Sequence, residues 1–148
     1  MANGIDVMTA QDFEEVTALW RQVDMWPHTA EDRDWFEHAI ARTGDCALVW
    51  RDGARVVGTA MGAWDGLRGW IYRLAVAQHR QDHGIGSALL AAAEQRLRAR
   101  GARQINLMIY EENPRAEAFY IRRGYERSPV KVLRKRFLQG ETGHTAER

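Results

Sequence analysis

Cysteine is almost absent from this chain of 148 residues, which contains only Cys46. One cysteine excludes an internal disulfide, so the fold must rest on a packed core rather than on covalent cross-links. A domain of this length can bury such a core. Residues 46–50 form an apolar run, and we therefore expect Cys46 to be a small buried side chain rather than a nucleophile.

Long apolar runs and an excess of one charge are also missing. No stretch approaches the 18 or so apolar residues of a membrane helix, and the first residues lack the basic and apolar regions of a secretory signal. The formal net charge is +1, so bulk electrostatics demand neither a nucleic acid nor a membrane as partner. These absences predict a cytoplasmic protein.

The first half of the chain alternates between helical and strand patterns. Apolar residues at helical spacing predict two helices, and apolar runs bounded by turn residues predict strands. The Asp52-Gly53 pair between two apolar runs is typical of a β-hairpin. The predicted order is strand Ile5–Met8, helices Asp12–Arg21 and Asp32–Arg42, and a meander of strands Cys46–Arg51, Arg55–Ala63 and Trp70–Val76.

The second half predicts a crossover unit. A helix from Gly84 to about Arg100 is followed by a strand, Gln104–Ile109, which should lie parallel to Trp70–Val76. Asn113 and Pro114 are the cap and first-turn residues of another helix. We expect strands Tyr125–Arg127 and Val132–Phe137 to finish the sheet.

These elements define the predicted architecture. The fold class is α+β, with a mixed, mostly antiparallel sheet, one parallel pair whose ends splay apart, and about four flanking helices. One domain is expected over residues 1–138. The polar segment 139–148 is expected to be a disordered tail.

The loop between Trp70–Val76 and the next helix carries the clearest chemical signal. Gly84 and Gly86 lie one residue apart, where missing side chains let the backbone approach a ligand. The helix behind them offers unpaired N–H groups and the positive end of a dipole, which suit a pyrophosphate. Donors could come from Arg80, Gln81, His83 and Ser87.

Two other phosphate-binding motifs fit this loop less well. The nucleotide P-loop string, with its Gly-Lys-Ser/Thr ending, does not occur. The dinucleotide fingerprint fits Gly84 and Gly86, with Glu111 as its acid, but Leu89 stands where it needs a third glycine, and no second nucleotide-binding half follows. A tight turn that binds nothing remains open on the loop alone.

Two motifs together resemble the GNAT superfamily of N-acetyltransferases. The family's Arg/Gln-x-x-Gly-x-Gly/Ala is matched by Gln81, Gly84 and Gly86, and Leu74-Ala75-Val76 is similar to its strand end. Its second motif, Asn-x-x-Ala-x-x-Phe-Tyr and then Gly-Tyr/Phe, is matched by Asn113, Ala116, Phe119, Tyr120, Gly124 and Tyr125. The resemblance covers roughly Ile5 to Phe137 and is greatest to small bacterial members of unassigned substrate.

The resemblance implies acetyl-coenzyme A as co-substrate, with no metal. Its pantetheine arm would lie along the strand end, and its pyrophosphate would lie on the loop. The family's acceptor is an amine, carried here by a small molecule or a peptide, and a homodimer is left open. The implied cofactor-binding residues are Leu74, Ala75, Val76, Gln81, His83, Gly84, Ile85, Gly86, Ser87 and Asn113.

The resemblance also implies a proton donor, Tyr120, facing the departing sulfur. A phenol of pKa about 10 can protonate a thiolate of pKa about 8.5. The general base is left open among Glu111, Glu112 and a carboxylate near Asp65, with Glu111 as the leading candidate. The alternative function is a coenzyme A-binding sensor without turnover, for which an acid beside the sulfur would serve no purpose.

Some features depart from the family or stand outside its motifs. The family often has proline at Gln78 and glycine at Asp82. The second change puts a carboxylate beside the proposed pyrophosphate. Repulsion between the two would weaken binding unless Asp82 pairs with Arg80 or His83 or faces solvent. His79 and His83 have no further metal ligand nearby. The family uses segments containing Trp26, Trp35 and Trp64 to wall the acceptor pocket. A solvated basic face is expected from Arg122, Arg123, Arg127, Lys131, Arg134, Lys135 and Arg136.

Overall fold

The computed structural model describes residues 3–25 and 32–137. They group into two compact units, one ending at Leu107 and one beginning at Met108. The predictions for Trp26 and for segment 139–148 lie outside the described residues. None of the described helices is long and apolar enough to span a membrane.

Apart from the two final strands, the elements follow the predicted order, with ends shifted by a few residues. Short 3-10 helices lie at Ala10–Asp12, Gly44–Cys46 and Gln78–Arg80. The five strands are β1 Gly4–Val7, β2 Ala47–Asp52, β3 Arg55–Trp64, β4 Gly69–Val76 and β5 Ile105–Leu107. The four helices are α1 Phe13–Gln22, α2 Arg33–Thr43, α3 Ile85–Ala99 and α4 Pro114–Ile121.

Local capping explains where several elements begin and end. Asp32 is the N-cap of α2 and accepts a hydrogen bond from the Trp35 backbone N–H at 2.8 Å. The β2–β3 hairpin turns at Gly53, whose φ of +60° suits glycine. Gly101 follows α3 with φ of +113°, as expected for a residue that ends a helix.

The first unit contains a five-stranded sheet in the order β1-β2-β3-β4-β5. The first three pairings are antiparallel, and β4 pairs with β5 in parallel. This confirms the predicted mixed sheet with one parallel pair. The sheet continues the sequential order of the strands because the β4–α3–β5 crossover returns the chain beside β4.

Opposite faces of the sheet carry different helices. A Cβ placed on Gly58 or Gly62 would meet α3 side chains at 2.9–3.2 Å, so small residues let α3 approach β3 closely. The neighbouring Thr59 instead contacts Trp20 of α1. Because successive strand residues point to opposite faces, α1 and α3 lie on opposite sides of β3. Cys46 is buried at 1% exposure, as expected.

The prediction of two final strands is wrong. Residues 125–137 form no strand, and the second unit has no strand among its described residues. A strand needs a neighbour to pair its backbone groups, and the described part of that unit, residues 108–137, offers only α4 as regular structure. The apolar side chains of Val130, Val132, Leu133 and Phe137 are 60% to 93% exposed, so they do not line a buried face of a sheet.

Candidate active site

Strand β4 loses its neighbour halfway along its length. Its first residues, Gly69–Ile71, pair with β5, which then ends at Leu107. From residue 72 to Val76, β4 has only β3 beside it among the described strands. This confirms the predicted splay, and it leaves an extended backbone edge of the kind that binds an extended ligand by strand addition.

The loop after β4 is tied to the end of that strand. The Ala77 N–H donates to the Val57 carbonyl at 2.8 Å, and the side-chain amide of Gln81 donates to the Val76 carbonyl at 3.0 Å. Nδ1 of His83 lies 2.9 Å from the Gln81 carbonyl. Gln81, predicted to contact the cofactor, therefore also shapes the loop.

The N-terminus of α3 has the features of an anion site. Gly84 is the N-cap, with φ of +81°, and no side chain caps the helix. The first turn holds no acidic residue. The first N–H groups of a helix have no carbonyl of their own helix to bond, so those of Ile85 and Gly86 suit an incoming oxyanion. These properties fit a pyrophosphate.

The predicted loop residues contribute in different ways. The Ile85 side chain is 2% exposed and packs under Gly58, so only its backbone can reach a ligand. Asp82 is exposed, with φ of +66°. Of the alternatives considered for this carboxylate, pairing with Arg80 is not observed, because Arg80 forms an ion pair with Asp52. The Asp82 carboxylate is thus not neutralised by Arg80.

The sequence did not predict a buried series of hydrogen bonds that links α1, β3 and β4. Nε1 of Trp20 donates to Oγ1 of Thr59 at 3.0 Å, and that hydroxyl donates to the Arg73 carbonyl at 2.7 Å. Trp20 and Thr59 are both fully buried. The available signal was a lone hydroxyl within the apolar strand 56–61, because buried hydroxyls in strands need hydrogen-bond partners.

The second unit holds the other predicted site residues. Asn113 is the N-cap of α4 and accepts from the Ala116 N–H at 3.1 Å, with Pro114 in the first turn. This is the capping role that the sequence predicts. Glu111 and Glu112 are exposed in the preceding turn.

Tyr120 lies among aromatic rings within this unit. Its ring centroid is 5.2 Å from that of Phe119 and 5.5 Å from that of Tyr125, both edge to face. Burial raises the pKa of Tyr120 to about 12. The phenol therefore keeps its proton throughout the neutral range, but it gives that proton to a thiolate less readily than an exposed tyrosine would.

Asp65 is a poor base. Its carboxylate accepts hydrogen bonds from the backbone N–H groups of Leu67 and Arg68, both at 2.7 Å, and from Nε1 of Trp70 at 3.0 Å. The bond from Arg68, followed by those from Trp70 and Leu67, lowers the pKa of Asp65. Each bond stabilises the ionised form, so the group functions as a turn residue.

The remaining predicted features lie as follows. Trp35 is 36% exposed and its ring centroid is 6.5 Å from that of Trp20, whereas Trp64 lies on the α3 side of β3, within 3.8 Å of a Cβ placed on Gly101. Among residues 3–25 and 32–137, no three histidine, cysteine or acidic residues are grouped as metal ligands. In the basic segment 122–136, Arg127 forms an ion pair with Glu117 at 3.1 Å.

Solved structures share this fold. Ard1 from Thermoplasma volcanium superposes with a TM-score of 0.75 at 22% identity, over 84% of this chain and 82% of that one. The PaiA N-acetyltransferase from Thermoplasma acidophilum, solved with coenzyme A, gives 0.78 at 16% identity, over 88% and 94%. AAC(6')-Iy, solved with a coenzyme A bisubstrate analogue, gives 0.74 at 18%, over 93% and 100%.

The sequence itself matches a family model. The acetyltransferase (GNAT) family model aligns with residues 11–125, a span that includes both the glycine loop and the Tyr120 motif. The chain therefore belongs to the GNAT family of acetyltransferases.

Proposed function

We propose that this protein transfers the acetyl group of acetyl-coenzyme A to a primary amine by direct attack in a ternary complex. The observation that carries the proposal is that β5 pairs only with the first three residues of β4, and that β4 leads into a helix whose N-cap, Gly84, has no capping side chain. An extended edge followed by an anion site matches a donor with a peptide-like arm and a pyrophosphate. We further propose that the reaction takes place in the cytoplasm.

The donor would be held mainly by backbone groups. The arm would pair with Leu74–Val76, and the pyrophosphate would accept from the N–H groups of Ile85, Gly86 and Ser87. Gln81 and His83 would support the loop, and Asn113 would contact the arm, as the family resemblance implies. Because these donors are preorganised, binding costs little rearrangement.

The chemistry consists of one bond exchange and two proton movements. The amine nitrogen attacks the thioester carbon, the new C–N bond forms and the C–S bond breaks. The amine proton passes to a base, for which we propose Glu111, and the proton of Tyr120 passes to the departing sulfur. The products are an acetamide and free coenzyme A; Glu111 releases the accepted proton to solvent, and Tyr120 regains its proton from solvent.

The acceptor is proposed to be an amine on a small molecule or a peptide. AAC(6')-Iy was solved with an acetylneamine-derived analogue, which shows that this fold accommodates an amine of that size. In this chain, Trp35 is a partly exposed aromatic residue beside Trp20 of α1 and is proposed to wall the acceptor site.

The test is a panel of amines and peptides with acetyl-coenzyme A, in which thiol release and acetylated product are both measured. We expect release that depends on one class of amine, with product formed in equal amount. Initial rates at varied concentrations of both substrates should give intersecting lines. Parallel lines would indicate an acetylated enzyme instead of a ternary complex.

Two other results would overturn the proposal. Thiol release of equal rate with and without amine would mark a hydrolase. Tight binding of acetyl-coenzyme A by calorimetry, with no release across the panel, would mark a sensor.

A further inference from the structure

Strand β4 contains a bulge just beyond Ile71, the last of its residues that pairs with β5. Thr59 pairs with Ala75, and Met61 pairs with Tyr72. One residue of β3 therefore faces two residues of β4, Arg73 and Leu74. Bulges of this kind re-aim backbone groups and are common beside active sites.

Arg73 in the bulge has an uncommon backbone conformation. Its φ is +55°, which places an arginine in the left-handed region that favours glycine. Such a conformation persists only where the surrounding structure holds it. What holds it here is visible on the α1 side of the sheet.

Two sets of contacts tie Arg73 to α1. The Arg73 carbonyl accepts from the Thr59 hydroxyl at 2.7 Å, and that hydroxyl accepts from Nε1 of Trp20 at 3.0 Å. The Arg73 guanidinium lies 4.7 Å from the Trp20 ring centroid and donates to the Met25 carbonyl at 2.7 Å. Because Trp20 and Thr59 are fully buried, water cannot replace these bonds.

We propose that Thr59 and Trp20 are positioning residues for acetyl transfer, holding the left-handed Arg73 and so aiming the backbone N–H groups of the β4 bulge at the thioester carbonyl. This inference rests on the proposed function. Donors fixed before the reaction polarise a carbonyl without reorganisation, whereas small misplacements are costly. Neither side chain needs to touch a substrate.

The variant Thr59→Val keeps the side-chain shape and removes both hydrogen bonds. We expect kcat to fall by about 10- to 100-fold, with little change in the KM for acetyl-coenzyme A. Thr59→Ser, which keeps the hydroxyl, should restore most of the rate. The matched control is Thr17→Val, because Thr17 is also buried but its hydroxyl bonds only carbonyls of its own helix, at 2.7 and 3.3 Å.

Two spectroscopic readouts separate positioning from a merely structural role. In the protein alone, the HN–Hα coupling of Arg73 reports its φ and should change in Thr59→Val but not in Thr17→Val. With bound, isotopically labelled acetyl-coenzyme A, the carbonyl stretch should lie at higher frequency in Thr59→Val, because the carbonyl is less polarised. In an Arg73→Gly background, where the left-handed conformation is unstrained, Thr59→Val should cost less in kcat.

The outcomes are distinct. If Thr59→Val keeps the wild-type kcat, or loses it with no change in the Arg73 coupling, the inference is wrong while the proposed function stands. If Thr59→Val and Thr17→Val both lose kcat in parallel with thermal stability, the role of Thr59 is structural and the inference is overturned. If the wild type itself transfers no acetyl group, the proposed function fails and this inference fails with it.

Discussion

The side-chain amide of Gln81 donates to the carbonyl of Val76 at 3.0 Å. This bond joins the loop proposed to hold the pyrophosphate to the last residue of the strand proposed to hold the pantetheine arm. Within the first unit, a side-chain hydrogen bond therefore ties the proposed pyrophosphate loop to the proposed pantetheine strand.

We predict that Gln81→Leu, which keeps the approximate size and removes the donor, weakens acetyl-coenzyme A binding by roughly fivefold to tenfold, since one neutral hydrogen bond contributes about 1 kcal/mol. Calorimetry measures the affinity. The control is Gln78→Leu in the same loop, which is exposed. Equal affinities for the wild type and Gln81→Leu would remove this bond from the binding site.

Gly86 lies in the first turn of α3, where a side chain would occupy the space that we propose for the pyrophosphate. Gly86→Val should largely abolish binding of acetyl-coenzyme A without a comparable loss of stability. Ala91→Val, at an exposed position of the same helix, introduces the same β-branched residue away from the site. Normal binding by the Gly86 variant would show that the phosphate assignment is wrong.

Asp82 combines an exposed carboxylate with a left-handed backbone. Asp82→Gly relieves the backbone strain and removes the charge, whereas Asp82→Asn removes only the charge, since asparagine tolerates φ > 0. We expect both to bind acetyl-coenzyme A at least as tightly as the wild type, most clearly at low salt. Weaker binding by the Asn variant, measured by calorimetry, would mean that the carboxylate supports the loop.

Tyr120→Phe removes the hydroxyl that we propose as proton donor and keeps the ring beside Phe119 and Tyr125. A positioned acid typically contributes on the order of 10²–10⁴ in rate, so turnover should fall by that factor while the Kd for acetyl-coenzyme A stays within a few-fold. Kinetics with the acceptor found in the amine panel and calorimetry provide the two values. Tyr125→Phe is the control. Unchanged turnover would return Tyr120 to a packing role.

The raised pKa of Tyr120 also predicts a dependence of stability on pH. The pKa is about 12 in the folded state and about 10 in an unfolded chain. The stabilisation linked to this proton is fully present below pH 10 and is lost as the pH rises through 12. Between pH 9 and pH 11 the free energy of unfolding should fall by about 1 kcal/mol more in the wild type than in Tyr120→Phe. Urea titrations at both pH values measure the difference, and equal falls would contradict it.

Local patterns predicted most of the elements because their signals are short-range. Asp52-Gly53 specified a hairpin, and Asn113-Pro114 specified a helix start, through caps and turns that depend on a few neighbouring residues. The glycine loop was recognisable for the same reason, since a strand-to-helix turn with a bare backbone is a local property. The predicted strands Tyr125–Arg127 and Val132–Phe137 are absent from the structure, because a short stretch of residues cannot ensure that a neighbouring strand is present to pair with it.

By itself, the amino-acid sequence determined the order of the elements, the parallel crossover and the loop with an uncapped helix behind it, because hydrophobic period, turn residues and glycine placement act locally. Only the tertiary structure decided that Arg80 pairs with Asp52 rather than with Asp82, and that Arg73 adopts a left-handed conformation. It likewise decided that Thr59, 14 residues from Arg73 and 39 from Trp20 along the chain, links the two. Such contacts depend on how strands and helices pack, and no local pattern encodes the partner that a buried hydroxyl or a charged side chain will meet.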